Sequence, residues 1–237
     1  MIEEPYRWLD AISNRREYIR DQLKGGTPVF AVSRKEGILL LGVGQGQSKV
    51  FEIYDRHGLA ALGHPVDIEK LRQAAIEAAH LEGFNRSAGD VTLRRLISFS
   101  LSSMLKNAFE QVFAPPIIVE SIFAELGDAP ERDALVRLHY DGDHQYSSGQ
   151  VLVAHREGSA EAEAAEWIGK MLKPEDTLTR VAGVCLAAWQ VLSDGKSFQG
   201  VAAPGTVSTT ITGKVVEAAL LDRNATSHVH YRRLQLE

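Results

Sequence analysis

The sequence predicts an α+β protein in which two β-sheets lie between two layers of helices, a four-layer αββα sandwich, with an extra helix before the first strand. Short apolar runs bounded by glycine indicate buried strands, and longer stretches with apolar residues every three or four positions indicate helices. These segments alternate as strands, helix pair, strands, helix pair and strands. Because each helix pair can cover the outer face of one sheet, two stacked sheets would have both faces buried.

The first predicted element is an amphipathic helix over residues 7–24. One stripe of this helix is apolar and the remaining positions carry arginine and acidic residues; the stripe consists of Trp8, Ile12, Ile19 and Leu23. We expect this stripe to pack against protein rather than to face solvent.

Four extended segments follow the helix, at residues 28–34, 37–43, 49–54 and 58–62. They are short, rich in β-branched, leucine and aromatic residues, and separated by glycine and polar residues. The polar turn Lys35-Glu36-Gly37 predicts an antiparallel hairpin between the first two segments. We predict that all four strands pair in sequence order as a meander.

Two long helices come next. The first follows His64-Pro65, with Asp67 as its predicted N-cap and a face of alanines that allows close packing. Asp90 is the predicted N-cap of the second helix, whose apolar residues recur at helical spacing for about six turns. Pro115-Pro116 ends this helix, because proline lacks a backbone N–H and restrains the residue before it.

The second half of the chain repeats this pattern. Asp141-Gly142-Asp143 is the predicted turn between the second and third of its strands. No Pro/Ser-rich linker divides the chain, so we expect residues 1–237 to form a single domain. The predicted strands are residues 117–126, 134–140, 150–155, 214–221 and 228–236, and the predicted helices are residues 160–172 and 175–192.

Composition and charge exclude several classes of function. The 237-residue chain carries a net charge of −5, whereas nucleic-acid binding requires a basic face, so we expect no nucleic-acid partner. No apolar run approaches the roughly 20 residues that span a bilayer, and no segment resembles a signal peptide. The single cysteine, Cys185, forms no disulfide framework. These features predict a soluble, cytoplasmic protein with no membrane partner.

Three segments, in their order and spacing, resemble the α-type subunits of the 20S proteasome, especially the bacterial ones. They are EYIRDQLKGG at residues 17–26, PVFAVSRKEGILLLG at residues 28–42 and SKVFEIYDRHGLAALG at residues 48–63, and two long helices follow them. Within the third segment, KVFEIYDR is similar to the Lys-Ile-x-x-Ile/Leu-x-Asp segment of that family. The resemblance extends more loosely over residues 17–140.

The resemblance implies a subunit with the fold of the N-terminal-nucleophile hydrolases but without catalytic activity. Residues 1–26 would be a gate segment and helix, and residues 27–237 the sandwich. In this family, a heptameric ring of α-type subunits caps rings of catalytic β-type subunits and gates substrate entry in protein degradation. The implied partners are β-type subunits, neighbouring α-type subunits, and an ATPase or other ring-shaped activator.

The resemblance also assigns roles to two side chains. Lys49 matches a lysine that lies in a pocket between adjacent α-type subunits and pairs with the C-terminal carboxylate of an activator's tail, a task that suits a compact cation. The alternative is a strand-end lysine in solvent. Tyr18 falls at the position of a tyrosine that the family uses near the axial gate. Residues 1–6 depart from the family, because the archaeal-type gate segment with Tyr-Asp-Arg is absent.

An alternative function is a self-contained threonine peptidase with Thr27 as the nucleophile. Catalytic β-type subunits expose a threonine after a glycine and use its own amine as the base, and Gly26-Thr27 stands at the equivalent junction. Pro28 stiffens the chain there, the loop at residues 43–48 offers no Asp or Lys, and the preceding helix is too well formed for a disposable propeptide. A third possibility is an α-like ring scaffold without a β-type partner.

The glycines of Gly42-x-Gly44-x-Gly46 suggest a dinucleotide-binding loop. Such a loop requires a helix directly after the glycines, whereas a predicted strand follows here. We therefore interpret the glycines as a flexible turn between strands. His228 and His230 share one face of a predicted strand, but further metal ligands cannot be placed beside them. The sequence predicts neither a cofactor nor a metal.

Overall fold

The computed structural model describes residues 4–147, 149–155, 158–201, 211 and 213–236. No helix within these ranges is both long enough and apolar enough to cross a bilayer. The helices are α1 Glu4–Leu23, α2 Pro65–Asn85, α3 Leu93–Leu96, α4 Ser102–Glu110, α5 Gly158–Met171 and α6 Leu178–Ser193, and a π-helical turn at Ile97–Leu101 joins α3 to α4. The strands are β1 Val29–Arg34, β2 Gly37–Gly44, β3 Val50–Tyr54, β4 His57–Gly63, β5 Val119–Glu125, β6 Ala134–His139, β7 His144–Tyr146, β8 Val151–Ala154, β9 Val215–Asp222 and β10 Tyr231–Leu234.

These strands form two antiparallel sheets, which confirm the predicted αββα sandwich. Sheet I has the strand order β10-β9-β2-β1-β8, and sheet II has the order β3-β4-β5-β6-β7. In β2, Leu39 and Leu41 pack under α5 and α6, whereas Ile38 and Leu40 enter the layer between the sheets. Because successive side chains point to opposite faces, an uninterrupted apolar run is what a strand buried on both faces requires. Helices α2 to α4 cover the outer face of sheet II in the same way.

The predicted four-strand meander is wrong, although both of its hairpins form. β1 pairs with β2 in sheet I, and β3 pairs with β4 in sheet II. The other edge of β2 pairs with β9, from Gly37 opposite Asp222 to Gly44 opposite Val215. Residues 45–49 carry the chain to the other sheet, since five residues can span about 17 Å and stacked sheets lie roughly 10 Å apart. The apolar pattern of a strand does not show whether the next strand in the chain pairs with it or lies in the opposite sheet.

Both predicted N-caps are also wrong. α2 begins directly after His64, and Asp67 lies inside its first turn, where the carboxylate accepts a hydrogen bond from the Ile118 N–H at 3.0 Å. Thr92 is the N-cap of α3, and Asp90 lies in the short turn before it. Ser87, Asp90 and Thr92 all precede α3 and favour N-caps, so only the backbone geometry and the side-chain contact decide between them. No such residue stands directly before α2, whose N-cap is His64 without a side-chain hydrogen bond.

Strand β7 was not predicted, and it changes the role of the turn at residues 141–143. This turn joins β6 to β7 within sheet II, whereas the prediction placed it before β8. β8 pairs with β1 in sheet I instead. A strand of three residues is too short to show the alternation that identifies strands. The other predicted strands and helices form within a few residues of their expected bounds.

Helix α1 packs into the sandwich through its C-terminal half. Ile19 and Leu23 are buried in the layer between the sheets. Arg15 is also buried, and its guanidinium donates a hydrogen bond to the Ala114 carbonyl oxygen at 2.8 Å. Trp8, in contrast, is 47% exposed, so the predicted apolar stripe is buried only toward the end of the helix.

Candidate functional site beside the first strand

A pocket of about 310 Å³ lies where the end of α1, the loop after β2 and the start of β3 meet. Thr27 and Lys49, two of the residues singled out from the sequence, line it together. Further side chains on its wall are polar or cationic: Gln22, Gln45, Gln47, His64 and Lys214. The pocket therefore favours a polar, anionic ligand group.

The Lys49 side chain is partly buried at the edge of this pocket. Its Nζ donates a hydrogen bond to the Thr27 carbonyl oxygen at 3.2 Å. The backbone N–H groups of Lys49 and Val50 both donate to Glu217 Oε2, at 2.8 and 3.3 Å. A carboxylate on β9 of sheet I thus holds the start of β3 in sheet II, and this contact fixes the position of Lys49.

Two glycines of β2 border the Lys49 side chain. A methyl group at Gly42 would lie 3.0 Å from Lys49 Cβ and 3.4 Å from Cδ, and one at Gly44 would lie 3.4 Å from Cε. The methylene chain of Lys49 therefore lies in a groove that glycine leaves open. The interpretation of Gly42 and Gly44 as part of a flexible turn is wrong, because both residues belong to β2.

The environment of Lys49 lowers the pKa of its ammonium group. Burial lowers the pKa of Lys49 to about 8; the Glu217 carboxylate opposes this change, and Lys214 adds to it. With this pKa, most of the Lys49 side chains still carry the charge at neutral pH. An anion bound beside the ammonium would raise the pKa of Lys49 again. A carboxylate ligand would therefore increase the fraction of Lys49 that is protonated.

Thr27 lacks the surroundings of a catalytic nucleophile. Its hydroxyl donates a hydrogen bond to the Val43 carbonyl oxygen. Its nitrogen forms the peptide bond to Gly26, shortly after the buried side chain of Leu23 in α1. A threonine nucleophile of this fold needs a free α-amine as its base. In this chain, the Thr27 hydroxyl is engaged with the backbone of β2.

The expectation that no lysine accompanies Thr27 is wrong. Lys49 follows the loop at residues 43–48 directly, and its Nζ lies 3.2 Å from the Thr27 carbonyl oxygen. This ammonium contacts the carbonyl oxygen, while the hydroxyl points to Val43. The contact between the two residues thus involves the backbone of Thr27 and not its hydroxyl.

Tyr18 is not among the residues that line the pocket. The side chain is 50% exposed on α1. Residues four positions apart share one face of a helix, so Tyr18 lies one turn before Gln22, which lines the pocket. Tyr18 is thus accessible, on the helix face that also carries Gln22.

Sequence reasoning missed Glu217 and Lys214. Glu217 is separated from Lys49 by 168 positions and reaches it only because β9 pairs with β2. A single charged residue on a predicted strand carries no signal of such a contact. One local feature could have indicated the groove: the alternating glycines Gly42 and Gly44 stand shortly before Lys49 in the sequence.

Fold and site together define a structural class. A four-layer sandwich whose first strand follows a Gly-Thr pair has the architecture of the N-terminal-nucleophile hydrolases. Here the threonine hydroxyl is bonded to the Val43 carbonyl oxygen, and a pocket with cationic side chains lies beside it. The chain therefore has the fold of this class.

Sequence comparisons identify the family within this class. No family model matches the sequence. The proteasome subunit alpha of Actinosynnema mirum is 32% identical over 228 residues, which cover 94% of this chain and 81% of that protein. Those of Jonesia denitrificans and Xylanimonas cellulosilytica are 31% and 32% identical, each over 94% of this chain and over 89% and 88% of their own lengths. The chain belongs to the family of proteasome alpha subunits, which confirms the predicted non-catalytic subunit of the 20S proteasome.

Proposed function

We propose that copies of this chain form the heptameric outer ring of a 20S core particle, which gates substrate entry and receives a ring-shaped activator. Peptide hydrolysis takes place on β-type subunits inside the chamber, so that unfolding and threading of the substrate determine which proteins are degraded. The 32% identity with a proteasome subunit alpha over 94% of this chain is the observation that carries this proposal. The cytoplasmic location expected from the single cysteine belongs to the same proposal.

In this proposal the chain is one domain, with residues 1–26 as gate segment and helix and residues 27–237 as the sandwich. Residues 1–3 of the gate segment lie outside the described residues. The buried contacts of α1 with the sandwich support a permanent structural helix rather than a propeptide. Tyr18, half exposed on this helix, is available to contact a neighbouring subunit near the gate.

Lys49 is the proposed contact for the activator. Its present partner is a neutral carbonyl oxygen, at 3.2 Å. A carboxylate forms stronger, charge-assisted hydrogen bonds with an ammonium than a carbonyl group does. The C-terminal carboxylate of an activator's tail would therefore displace the Thr27 carbonyl oxygen as the partner of Lys49.

Co-expression of this chain with the β-type subunit from the same genome tests the non-catalytic assignment. We expect a stacked-ring particle by native mass spectrometry, and we expect its peptide hydrolysis to persist in Thr27→Ala, because the proposal places hydrolysis on the β-type subunits. Replacement of the N-terminal threonine of the β-type subunit should abolish hydrolysis in the same particle.

Two results would contradict this assignment. Loss of hydrolysis in an assembled Thr27→Ala particle, or activity of this chain alone, would make Thr27 the nucleophile. A ring that forms without binding the β-type subunit would instead support the scaffold that has no β-type partner. Native mass separates a catalytic defect from a failure of assembly.

A second experiment tests activator docking at Lys49. In the assembled particle, Lys49→Ala should reduce degradation stimulated by the ATPase from the same genome to the level without ATPase, because the docking charge is lost. Lys170→Ala is the matched control, since Lys170 is an exposed lysine on α5. Equal stimulation of the Lys49→Ala particle and the wild-type particle would show that Lys49 does not dock the activator.

A further inference from the structure

The Lys49 pocket contains a second cation, Lys214. Lys214 lines the pocket just before β9, and its charge lowers the pKa of Lys49. Glu217, three positions further along, acts on Lys49 in the opposite direction. Among the described residues that line the pocket, His64 is the one other titratable side chain.

The charges around the pocket do not balance. Lys49 and Lys214 each carry a positive charge when protonated, whereas Glu217 supplies one negative charge. One oxygen of Glu217 accepts the backbone N–H groups of Lys49 and Val50, so this carboxylate is engaged with the chain itself. One positive charge remains in excess, and a single carboxylate ligand would neutralise it.

The Lys49 side chain is aimed by two separate features. Glu217 fixes the backbone at the start of β3. Gly42 and Gly44 then leave the groove along which the methylene groups extend toward the Thr27 carbonyl oxygen. The groove explains why glycine stands at positions 42 and 44, since a side chain at either position would lie against Lys49.

We propose that Lys49 and Lys214 bind one carboxylate group between them, the terminal carboxylate of an activator's tail. Glu217, Gly42 and Gly44 are positioning residues that hold Lys49 in this receptor. The inference rests on the proposed docking function of Lys49 and adds to it the second cation and the residues that orient the first.

The two neighbouring charges give this receptor a distinctive pH dependence. Lys49 binds a carboxylate strongly only while it is protonated, so binding should weaken as the pH rises through about 8. Removal of the Glu217 charge lowers the pKa of Lys49 and should move the midpoint of this loss to lower pH. Removal of the Lys214 charge raises that pKa and should move the midpoint to higher pH.

The test is a peptide-binding titration on the assembled particle across this pH range. The probe is a synthetic peptide with the C-terminal tail of the ATPase from the same genome, and the same peptide ending in an amide is the reference. Glu217→Gln keeps an acceptor oxygen for the two N–H groups, and Lys214→Met keeps the side-chain length. Glu166→Gln and Lys170→Met make the same changes in an exposed ion pair of α5 and serve as matched controls.

We expect the free-acid peptide to bind and the amide to bind roughly tenfold or more weakly. The midpoint should shift down in Glu217→Gln and up in Lys214→Met, by about 1 pH unit each. Lys214→Met should also weaken binding roughly tenfold at neutral pH, because one of the two cations is lost. Neither control should shift the midpoint. The NMR signal of the Lys49 ε-methylene group in the purified chain, assigned with Lys49→Met, reports the same pKa changes independently.

The outcomes separate this inference from the docking proposal. If Lys49→Met abolishes binding while Glu217→Gln and Lys214→Met leave the midpoint unchanged, Lys49 docks the tail but the two-cation receptor is wrong. If binding survives Lys49→Met, or does not distinguish acid from amide, both the docking proposal and the receptor are wrong. In that case the NMR titration still decides whether the neighbouring charges control Lys49.

Gly42→Ala tests the groove without changing any charge. The added methyl group would lie 3.0 Å from Lys49 Cβ, so the side chain must move and peptide binding should weaken. Gly169→Ala in α5 is the control, because a methyl group there meets no atom within 4 Å. Binding by Gly42→Ala that equals wild type would show that the groove does not position Lys49.

Discussion

Arg137→Met is expected to lower the free energy of unfolding by about 3–5 kcal/mol. Arg137 is buried in β6, where its guanidinium pairs with Glu120 at 2.9 Å and with Glu161 of α5 at 2.5 Å. It also donates hydrogen bonds to the carbonyl oxygens of Val153 and His155, at 3.1 and 3.0 Å. Arg137 thus joins sheet II to an edge of sheet I and to an outer helix. Without Arg137, the carboxylates of Glu120 and Glu161 lose the positive charge that offsets the free-energy cost of removing them from water.

Urea unfolding of the purified chain, followed by circular dichroism, measures this effect. Arg132→Met is the matched control, since Arg132 forms an exposed pair with Asp128, and such pairs contribute about 0–1 kcal/mol. Burial raises the pKa of Glu161 although Arg137 opposes it. Loss of Arg137 raises that pKa further, so the destabilisation should shrink as the pH falls from neutral toward the ordinary range of a glutamate, because the carboxylate takes up a proton. A loss of stability no larger than that of Arg132→Met would contradict the structural role of Arg137.

Asp133→Ala is expected to lower the Tm by roughly 10 °C. The Asp133 side chain is 2% exposed and accepts two hydrogen bonds from the Arg223 guanidinium, at 2.9 and 3.1 Å. It also accepts from the Ser33 hydroxyl at 2.6 Å and from the Gly127 N–H at 2.9 Å. These partners come from both sheets, so one carboxylate joins the sheets at this end of the sandwich. Its removal leaves the Arg223 charge without its carboxylate partner.

A thermal unfolding series separates charge from hydrogen bonding at this position. Asp133→Asn keeps an acceptor oxygen for Ser33 and Gly127 but loses the charge, so its Tm should fall between those of the wild type and Asp133→Ala. Asp128→Ala is the control, because Asp128 lies in the same loop with its side chain 84% exposed. Melting of Asp133→Ala at the same temperature as Asp128→Ala would show that the contact with Arg223 does not stabilise the fold.

The candidate site was only partly predictable from the sequence. Lys49 was singled out because its segment resembles α-type subunits, and Thr27 because Gly26-Thr27 matches the junction of catalytic β-type subunits. The structure places both on one pocket. The contact between them was not foreseen, because the loop after β2 was considered without the residue that follows it. Lys214 and Glu217 were missed because they reach Lys49 only through the pairing of β9 with β2.

The sequence by itself determined the elements and the layers. Apolar runs buried on both faces and helical apolar stripes encode local structure, because side-chain direction repeats with the period of a strand or a helix. The tertiary structure decided that β3 and β4 lie in the second sheet rather than beside β2, and that Glu217 meets the start of β3. Neither contact has a local signature, since a periodic pattern specifies which face is buried but not which distant segment buries it.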